Sequence, residues 1–127
     1  MEFTIKTKIN ASAKAIYSAW LSSEGHTNMT GGAATISAEV GDRFTAWDGY
    51  IEGENMELKP YSRILQSWRT SQFEEQEQDS QVEILLHEVD GQTELTLIHR
   101  NVPESGEHYK KGWDNHYFKP MKEYFSQ

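Results

Sequence analysis

Residues 108–125 read HYKKGWDNHYFKPMKEYF, and this stretch decides the fold. At helical spacing its large apolar side chains lie on one face, and most of its charged and amide side chains lie on the other. The apolar face consists of Tyr109, Trp113, Tyr117, Met121 and Tyr124, widened by Phe118 and Phe125. Such a helix would be roughly 25 Å long, the width of a small domain. So broad an aromatic face must be covered, and the sequence before it predicts a sheet.

The composition fits one domain with a real core, and we expect that domain to span residues 1–127. The chain has no cysteine, which excludes disulfides, thiolate chemistry and cysteine-based zinc sites. The first residues, MEFTIKTKI, alternate between polar and apolar side chains. They lack the unbroken apolar run of a signal peptide, and no membrane-spanning stretch follows. We therefore expect a cytoplasmic protein that does not insert into membranes.

The N-terminal third predicts one strand and two short helices. Residues 3–9 alternate strictly and indicate a half-buried strand. Asn10 or Ser12 can cap the helix that follows, which buries Ile16, Ala19 and Trp20. A second helical turn is expected over residues 24–29, ended by two glycines at 31 and 32.

From residue 34 onward the apolar period becomes two, which predicts antiparallel strands joined by tight turns. Asp48-Gly49 and Asp90-Gly91 are strong hairpin signals because both residues tolerate positive φ. The predicted strands cover residues 35–40, 43–47, 50–59, 63–71, 82–89 and 93–100. The polar tract from 72 to 81 is interpreted as a solvated hairpin end.

In the strand predicted over residues 50–59, the alternation of apolar side chains is interrupted. Ile51 and Met56 would point to opposite faces of a regular strand, and one extra residue near Gly53-Glu54 would bring them to the same face. The pattern therefore predicts a β-bulge at that glycine. Together the elements predict an α+β fold in which a curved antiparallel sheet of about six or seven strands wraps around the long C-terminal helix, with two short helices after the first strand.

Motifs for chemistry are scarce. No nucleophile elbow, phosphate-binding loop or dinucleotide fingerprint occurs, and no histidine stands at metal-ligand spacing from another. We therefore predict no catalytic residue, no metal site and no cofactor. His99 shares the inward face of its strand with Leu95 and Leu97. It is either a hydrogen-bonded core histidine or a polar group in a ligand cavity.

The aromatic side chains leave the same choice open. Trp47, Trp68 and Trp113 are either core anchors or walls of an apolar pocket between sheet and helix. The candidate cavity residues are Trp47, Met56, Trp68, Leu97, His99, Trp113, Tyr117 and Met121. We expect Trp113 to be among the most buried side chains, with Gly112 beside it allowing the helix to approach a neighbour closely.

Several short motifs also occur in an order that is typical of a known family. They are residues 13–20 (AKAIYSAW), residues 47–54 (WDGYIEGE), Pro60 with Trp68-Arg69, residues 93–97 with His99, and Gly112-Trp113. This order resembles START-like (SRPBCC) domains, and within them the C-terminal domain of the Aha-type activator of heat-shock protein 90 ATPase. Residues 44–49 and 111–118 are particularly similar.

The resemblance implies a helix-grip fold with a cavity between the sheet and the C-terminal helix. It also implies a possible partner, the heat-shock protein 90 chaperone, although in the eukaryotic co-chaperone an additional N-terminal domain makes the main contact. The family supplies no catalytic motif that can be placed here. Pro120 departs from its usual pattern, since a proline inside the helix removes a backbone donor.

Three functions remain open at this level. The first is a non-enzymatic, co-chaperone-like module that binds a protein partner through exposed sheet or loops. The second is a carrier or sensor of a small apolar ligand. The third is an enzyme of the polyketide-cyclase sort, which ranks last because only His99, Tyr117 and Thr70 can be placed as polar groups in the cavity. A cavity smaller than a few hundred cubic ångströms would favour protein binding.

The net charge of -8 generates a first prediction about partners. Without a basic cluster in the sequence there is little to neutralise phosphates, so we expect no measurable binding to duplex DNA at physiological salt. A gel-shift titration checks this. A salt-sensitive shift at micromolar protein would contradict it.

Overall fold

The computed structural model describes residues 1–126. In chain order its elements are β1 (Phe3–Ile9), α1 (Ala13–Trp20), α2 (Ser23–Thr30), β2 (Arg43–Ala46), β3 (Ile51–Lys59), β4 (Arg63–Thr70), β5 (Ser80–Val89), β6 (Gln92–Arg100), α3 (His108–Trp113), a π-helical segment (Asp114–Phe118) and α4 (Lys119–Phe125). A short 3-10 turn, Glu104–Gly106, precedes α3. The last three helical elements run on without a break, and we call residues 108–125 the closing helix.

The strands form one antiparallel sheet in the order β1-β6-β5-β4-β3-β2. Consecutive strands from β2 to β6 are joined by hairpins, and β1 pairs with β6. The sheet curves around the closing helix, so the predicted helix-grip architecture is confirmed. The core lies between the inner face of the sheet and the helix, and both short helices close one side of it.

Serine hydroxyls cap the first two helices, and for α1 this is one of the two caps that the sequence predicts. The Ser12 hydroxyl accepts a hydrogen bond from the Ala15 N–H at 3.1 Å, so Ser12 rather than Asn10 caps α1. Ser22 accepts from the Gly25 N–H at 3.1 Å in the same way. Gly31 ends α2 at φ 90°, a left-handed conformation that glycine adopts without steric cost.

The strand predicted over residues 35–40 does not form. Only Thr35 bridges β2, opposite Thr45. The carbonyls of Ser37 and Glu39 accept hydrogen bonds from the side-chain amide of Asn55, at 2.8 and 3.0 Å. Because a side chain satisfies these carbonyls, the segment has no need of a strand partner, and it runs as a loop beside Asn55 in the middle of β3.

The bulge in β3 lies further along the strand than predicted. The register with β4 is unchanged across Gly53 and Glu54 and shifts by one residue between Asn55 and Glu57. Met56 is therefore the extra residue, and its side chain is 37% exposed. This corrects the assignment of Met56 to the cavity.

The reason for the error is chemical. Before the bulge, the buried positions of β3 are Ile51, Gly53 and Asn55. Two of these three are not apolar, so hydrophobic alternation could not locate the true phase. Asn55 is buried because its amide is fully used: it donates to the loop and accepts from the Gln66 amide at 2.9 Å.

The closing helix buries Tyr109, Trp113, Tyr117, Phe118 and Met121, as its pattern predicts. Its last turn differs from the prediction. Tyr124 is 37% exposed and Phe125 is only half-buried. A π turn holds more residues than an α turn, so the π-helical segment rotates the following turn away from the core.

Pro120 explains that segment. A proline inside a helix cannot donate to the carbonyl four residues earlier, and its ring clashes with that carbonyl. Here that carbonyl belongs to His116, which lies in the middle of the π-helical segment. The wider turn accommodates the ring, so Pro120 has a local structural consequence.

Trp113 is the central anchor of the core. It is 3% exposed, and its ring centroid lies 5.5 Å from that of Trp68 and 4.8 Å from that of Tyr117. We expect Trp113→Ala to lower the free energy of unfolding by about 3–5 kcal/mol. Trp113→Phe keeps a ring but loses the indole N–H, and should cost about 1–3 kcal/mol. Urea unfolding measures both; a loss under about 1 kcal/mol for the alanine variant would refute the anchor role.

Candidate functional site

An apolar cavity of about 230 Å³ lies between the closing helix and the β2–β3 hairpin. Its walls are almost entirely aromatic. They are formed by Trp47, Tyr50, Ile51, Trp68, Tyr109, Gly112, Trp113, His116 and Tyr117. The cavity opens to solvent on the side of the hairpin turn, where Tyr50 and His116 are exposed.

The hairpin turn places Trp47 over the cavity. Three consecutive residues have positive φ: Trp47 at 49°, Asp48 at 60° and Gly49 at 88°. The indole of Trp47 then lies flat on Gly32, where an added Cβ would come within 2.5 Å of the ring. The same indole meets the imidazole of His116 in an edge-on arrangement, with ring centroids 5.4 Å apart. The position of this cavity wall therefore requires a glycine at 32.

His99 lies beneath the cavity, fully buried. Trp113 Nε1–H donates to His99 Nδ1 at 3.1 Å. The proton must then be on Nε2, which donates to the Ser80 hydroxyl at 2.8 Å, and that hydroxyl donates to the Trp68 carbonyl at 2.7 Å. Both ring nitrogens of His99, the indole N–H of Trp113 and the hydroxyl of Ser80 therefore have hydrogen-bond partners. His99 is a hydrogen-bonded core histidine and has no atom left for a ligand.

Burial lowers the pKa of His99 to about 3, because the charged form would lose its hydration. In the unfolded chain the imidazole of His99 binds a second proton near pH 6.5. In the folded chain it does so only near pH 3, the lowered pKa. As pH falls through that window the unfolded state binds more protons, so stability is lost on acidification.

Tyr117 presents only its ring to the cavity. Its hydroxyl donates to His26 Nε2 at 2.8 Å, while His26 Nδ1–H donates to the Trp20 carbonyl at 2.8 Å. Burial raises the pKa of Tyr117 and lowers the pKa of His26, so both are neutral. This pair ties the closing helix to the first two helices.

Tyr109 is held in the same way. Its hydroxyl forms a short hydrogen bond with the Thr70 hydroxyl, and burial raises the pKa of Tyr109 to about 12. At the rim, the Tyr50 hydroxyl donates to Gln72. The hydroxyls of the three tyrosines that line the cavity are therefore bonded to other side chains, and they do not converge on a common point where a substrate would react.

Four of the eight candidate residues line the cavity: Trp47, Trp68, Trp113 and Tyr117. The others lie elsewhere. Leu97, His99 and Met121 are buried in the core away from the cavity surface, and Met56 is on the outside of β3.

Sequence reasoning missed the remaining wall residues. Tyr50 follows the hairpin signal at Asp48-Gly49, and its position next to Trp47 was the available clue. At α-helical spacing His116 lies at the polar edge of the helix, but in the structure it belongs to the π-helical segment and contacts Trp47. Gly112 was expected to allow a close approach; instead no atom lies within 4 Å of a Cβ built on it.

Two features are absent from residues 1–126. No cluster of histidine and carboxylate side chains there is arranged to hold a metal ion. No helix in the same range has the length and hydropathy needed to cross a membrane. One buried side-chain donor in the described residues has no hydrogen-bond partner, the Nε1 of Trp47.

The open wall at Gly112 generates a prediction. Gly112→Ala adds a methyl group that meets nothing and improves helix propensity, so it should stabilise the fold by about 0.5–1 kcal/mol. The matched control is Gly53→Ala, whose Cβ would lie 1.9 Å from the Ser67 backbone oxygen and should destabilise strongly. Thermal or urea unfolding compares the two. A destabilised Gly112→Ala variant would show that the helix does approach a neighbour here.

Solved structures share this architecture. An HSP90 activator from Plasmodium falciparum superposes with a TM-score of 0.87 at 24% identity, covering 95% of this chain and 93% of that one. The Aha1 dimer from Colwellia psychrerythraea superposes with a TM-score of 0.82 at 18% identity, covering 98% and 96%. These similarities establish the fold.

The sequence comparison goes further. The human activator of 90 kDa heat shock protein ATPase homolog 1 is 27% identical over 125 residues. The match covers 98% of this chain but only 37% of the human protein. The model of the family described as Activator of Hsp90 ATPase homolog 1-like protein matches residues 10–126. The predicted Aha-type, START-like assignment is thereby confirmed, and the chain belongs to the Activator of Hsp90 ATPase homolog 1-like family.

Proposed function

We propose that this protein is a non-enzymatic, protein-binding module of the cytosol whose partner is the host's heat-shock protein 90. The observation that carries the proposal is the family match over residues 10–126. The human relative is named as an activator of that chaperone's ATPase, and it aligns with 98% of this chain. The chaperone contact is inferred from that relationship.

The geometry of the cavity supports a binding role over catalysis. Its volume of about 230 Å³ is below the range of roughly 300–1,000 Å³ that is usual for ligand sites. The hydroxyls of Tyr109 and Tyr117 and the imidazole of His99 are all engaged in core hydrogen bonds. No nucleophile, acid and base meet in the cavity, so its walls serve mainly to hold the helix on the sheet.

An exposed apolar site is available for the contact. Val40 is 61% exposed and Met56 is 37% exposed. Their segments are neighbours, because the Gly41 N–H donates to the Asn55 carbonyl at 2.8 Å. Exposed apolar side chains that form a contiguous patch mark interaction sites, whereas isolated ones do not. We assign the chaperone contact to this corner of the sheet, where the bulge turns Met56 outward.

The test is titration calorimetry with the purified host chaperone, alongside its ATPase rate. The wild-type chain should bind and raise the ATPase rate. Val40→Ser combined with Met56→Ser should weaken binding by about tenfold or more, since apolar hot spots often contribute above about 1 kcal/mol each. Val89→Ser is the matched control, because Val89 is 56% exposed at the distant β5–β6 hairpin. Absence of binding at tens of micromolar would contradict the proposal.

A second candidate is the binding of a small aromatic molecule, proposed for the wall residues Trp47, Trp68, Trp113 and Tyr117. The unpaired Nε1 of Trp47 favours it, because a buried donor without a partner costs about 1–3 kcal/mol that an acceptor would recover. A dry cavity of about 150 Å³ is enough for benzene. Native mass spectrometry of protein purified from its host checks this. A small molecule retained by the wild type and lost in the Gly112→Leu variant supports ligand binding. If the wild type retains no small molecule, the ligand-binding candidate is rejected.

A further inference from the structure

A second concave surface lies on the other side of the closing helix. It is a groove of about 550 Å³ between that helix and β1. Its lining combines apolar side chains with cationic ones. The residues are Ile5, Lys6, Lys110, Lys111, Asp114, Asn115 and Phe118. None of them lines the aromatic cavity, so the groove is a separate surface.

The groove follows an open edge of the sheet. Among the described residues β1 pairs with β6 alone, so its other side has no strand neighbour. Consecutive residues of a strand point to opposite faces. A groove lined by both Ile5 and Lys6 must therefore run past the outer edge of β1. An edge of this kind presents backbone N–H and C=O groups to an incoming chain.

The charge of the groove is opposite to that of the molecule. Lys6, Lys110 and Lys111 form no ion pair with any carboxylate of residues 1–126. The carboxylate in the groove, Asp114, is already paired with Lys119 at 3.5 Å. In a chain of net charge -8, three free lysines around one groove form a local cationic site. The linear sequence hides it, because the fold brings Lys6 to the closing helix.

We propose that this groove binds an acidic, extended segment of a partner protein, which adds to the outer edge of β1 as a further strand. An extended peptide alternates its side chains between two faces. One set faces the closing helix, where it reaches the apolar floor made by Ile5 and Phe118 beside Lys110 and Lys111, and the other set faces Lys6. Carboxylates of the peptide can therefore meet a lysine on either face. Backbone hydrogen bonds to β1 supply affinity, and the two rows of side chains supply specificity.

The chemistry of the groove favours a peptide over a polyanion. Nucleic acid and anionic lipid need only positive charge, and three lysines are few for either. They do not explain an apolar floor beside an unpaired strand edge. An acidic peptide uses all three features. This inference stands independently of the chaperone contact, which we place at the opposite edge of the sheet.

The probe is a fluorescent eight-residue peptide in which Glu alternates with Val, titrated into the full chain. It should bind, and raising NaCl from about 50 to about 500 mM should weaken it, because exposed ion pairs are screened. Single Lys→Gln changes at 6, 110 and 111 should each weaken binding about two- to fivefold. The triple variant should weaken it at least about eightfold. Backbone amide NMR shifts should concentrate in β1 and α3.

The control removes the same charge elsewhere. Lys14→Gln, Arg43→Gln and Lys59→Gln together leave the groove intact and should bind the peptide like the wild type. Equal weakening by both triple variants would overturn the proposal, as would equal binding of a peptide with Gln in place of Glu. No binding at about 1 mM peptide would also overturn it. So would tight binding of single-stranded DNA or anionic vesicles at this groove with no binding of the peptide.

Discussion

The hydrogen bond between Trp113 and His99 is the interaction on which the rest of the structure depends. Both side chains are buried, so each polar nitrogen must find a protein partner or remain unpaired at a cost of about 1–3 kcal/mol. The bond continues through Ser80 to the Trp68 carbonyl and thereby joins the closing helix to β6, β5 and β4. One line of hydrogen bonds sets both the height and the rotation of the helix on the sheet.

The shape of the cavity follows from a defect in that helix. Pro120 cannot donate to the preceding turn, and the helix widens into a π segment from Asp114 to Phe118. The wider turn brings His116 against Trp47 and directs the final turn toward solvent. Gly112 leaves its side of the helix empty. The cavity is thus a consequence of how the helix accommodates a proline while Trp113 stays anchored.

The two edges of the sheet differ in what lies against them. At the β2 side, Trp20 Nε1 donates to Gln66 at 3.3 Å, and Gln66 and Asn55 carry the network to the loop after α2, which bridges β2 at Thr45 and bonds to β3 at Asn55. At the β1 side the outer edge has no strand partner among residues 1–126, and lysines without an ion pair line it. An uncovered edge invites unwanted pairing, and charged side chains are one common protection against it. Here the same lysines select for an acidic segment.

The sequence by itself determined the hairpin-joined antiparallel strands, the amphipathic closing helix and the burial of Trp113, because these follow from local periodicity and turn chemistry; the pairing of β1 with β6 did not follow from it. Only the tertiary structure placed the bulge at Met56 and made residues 35–40 a loop. It also showed that Leu97, His99 and Met121 do not line the cavity. Those features depend on polar side chains that are buried through partners far along the chain, such as Asn55 with Ser37. Hydrophobic patterns report whether a residue is apolar, and they contain no information about which distant carbonyl will satisfy a buried amide.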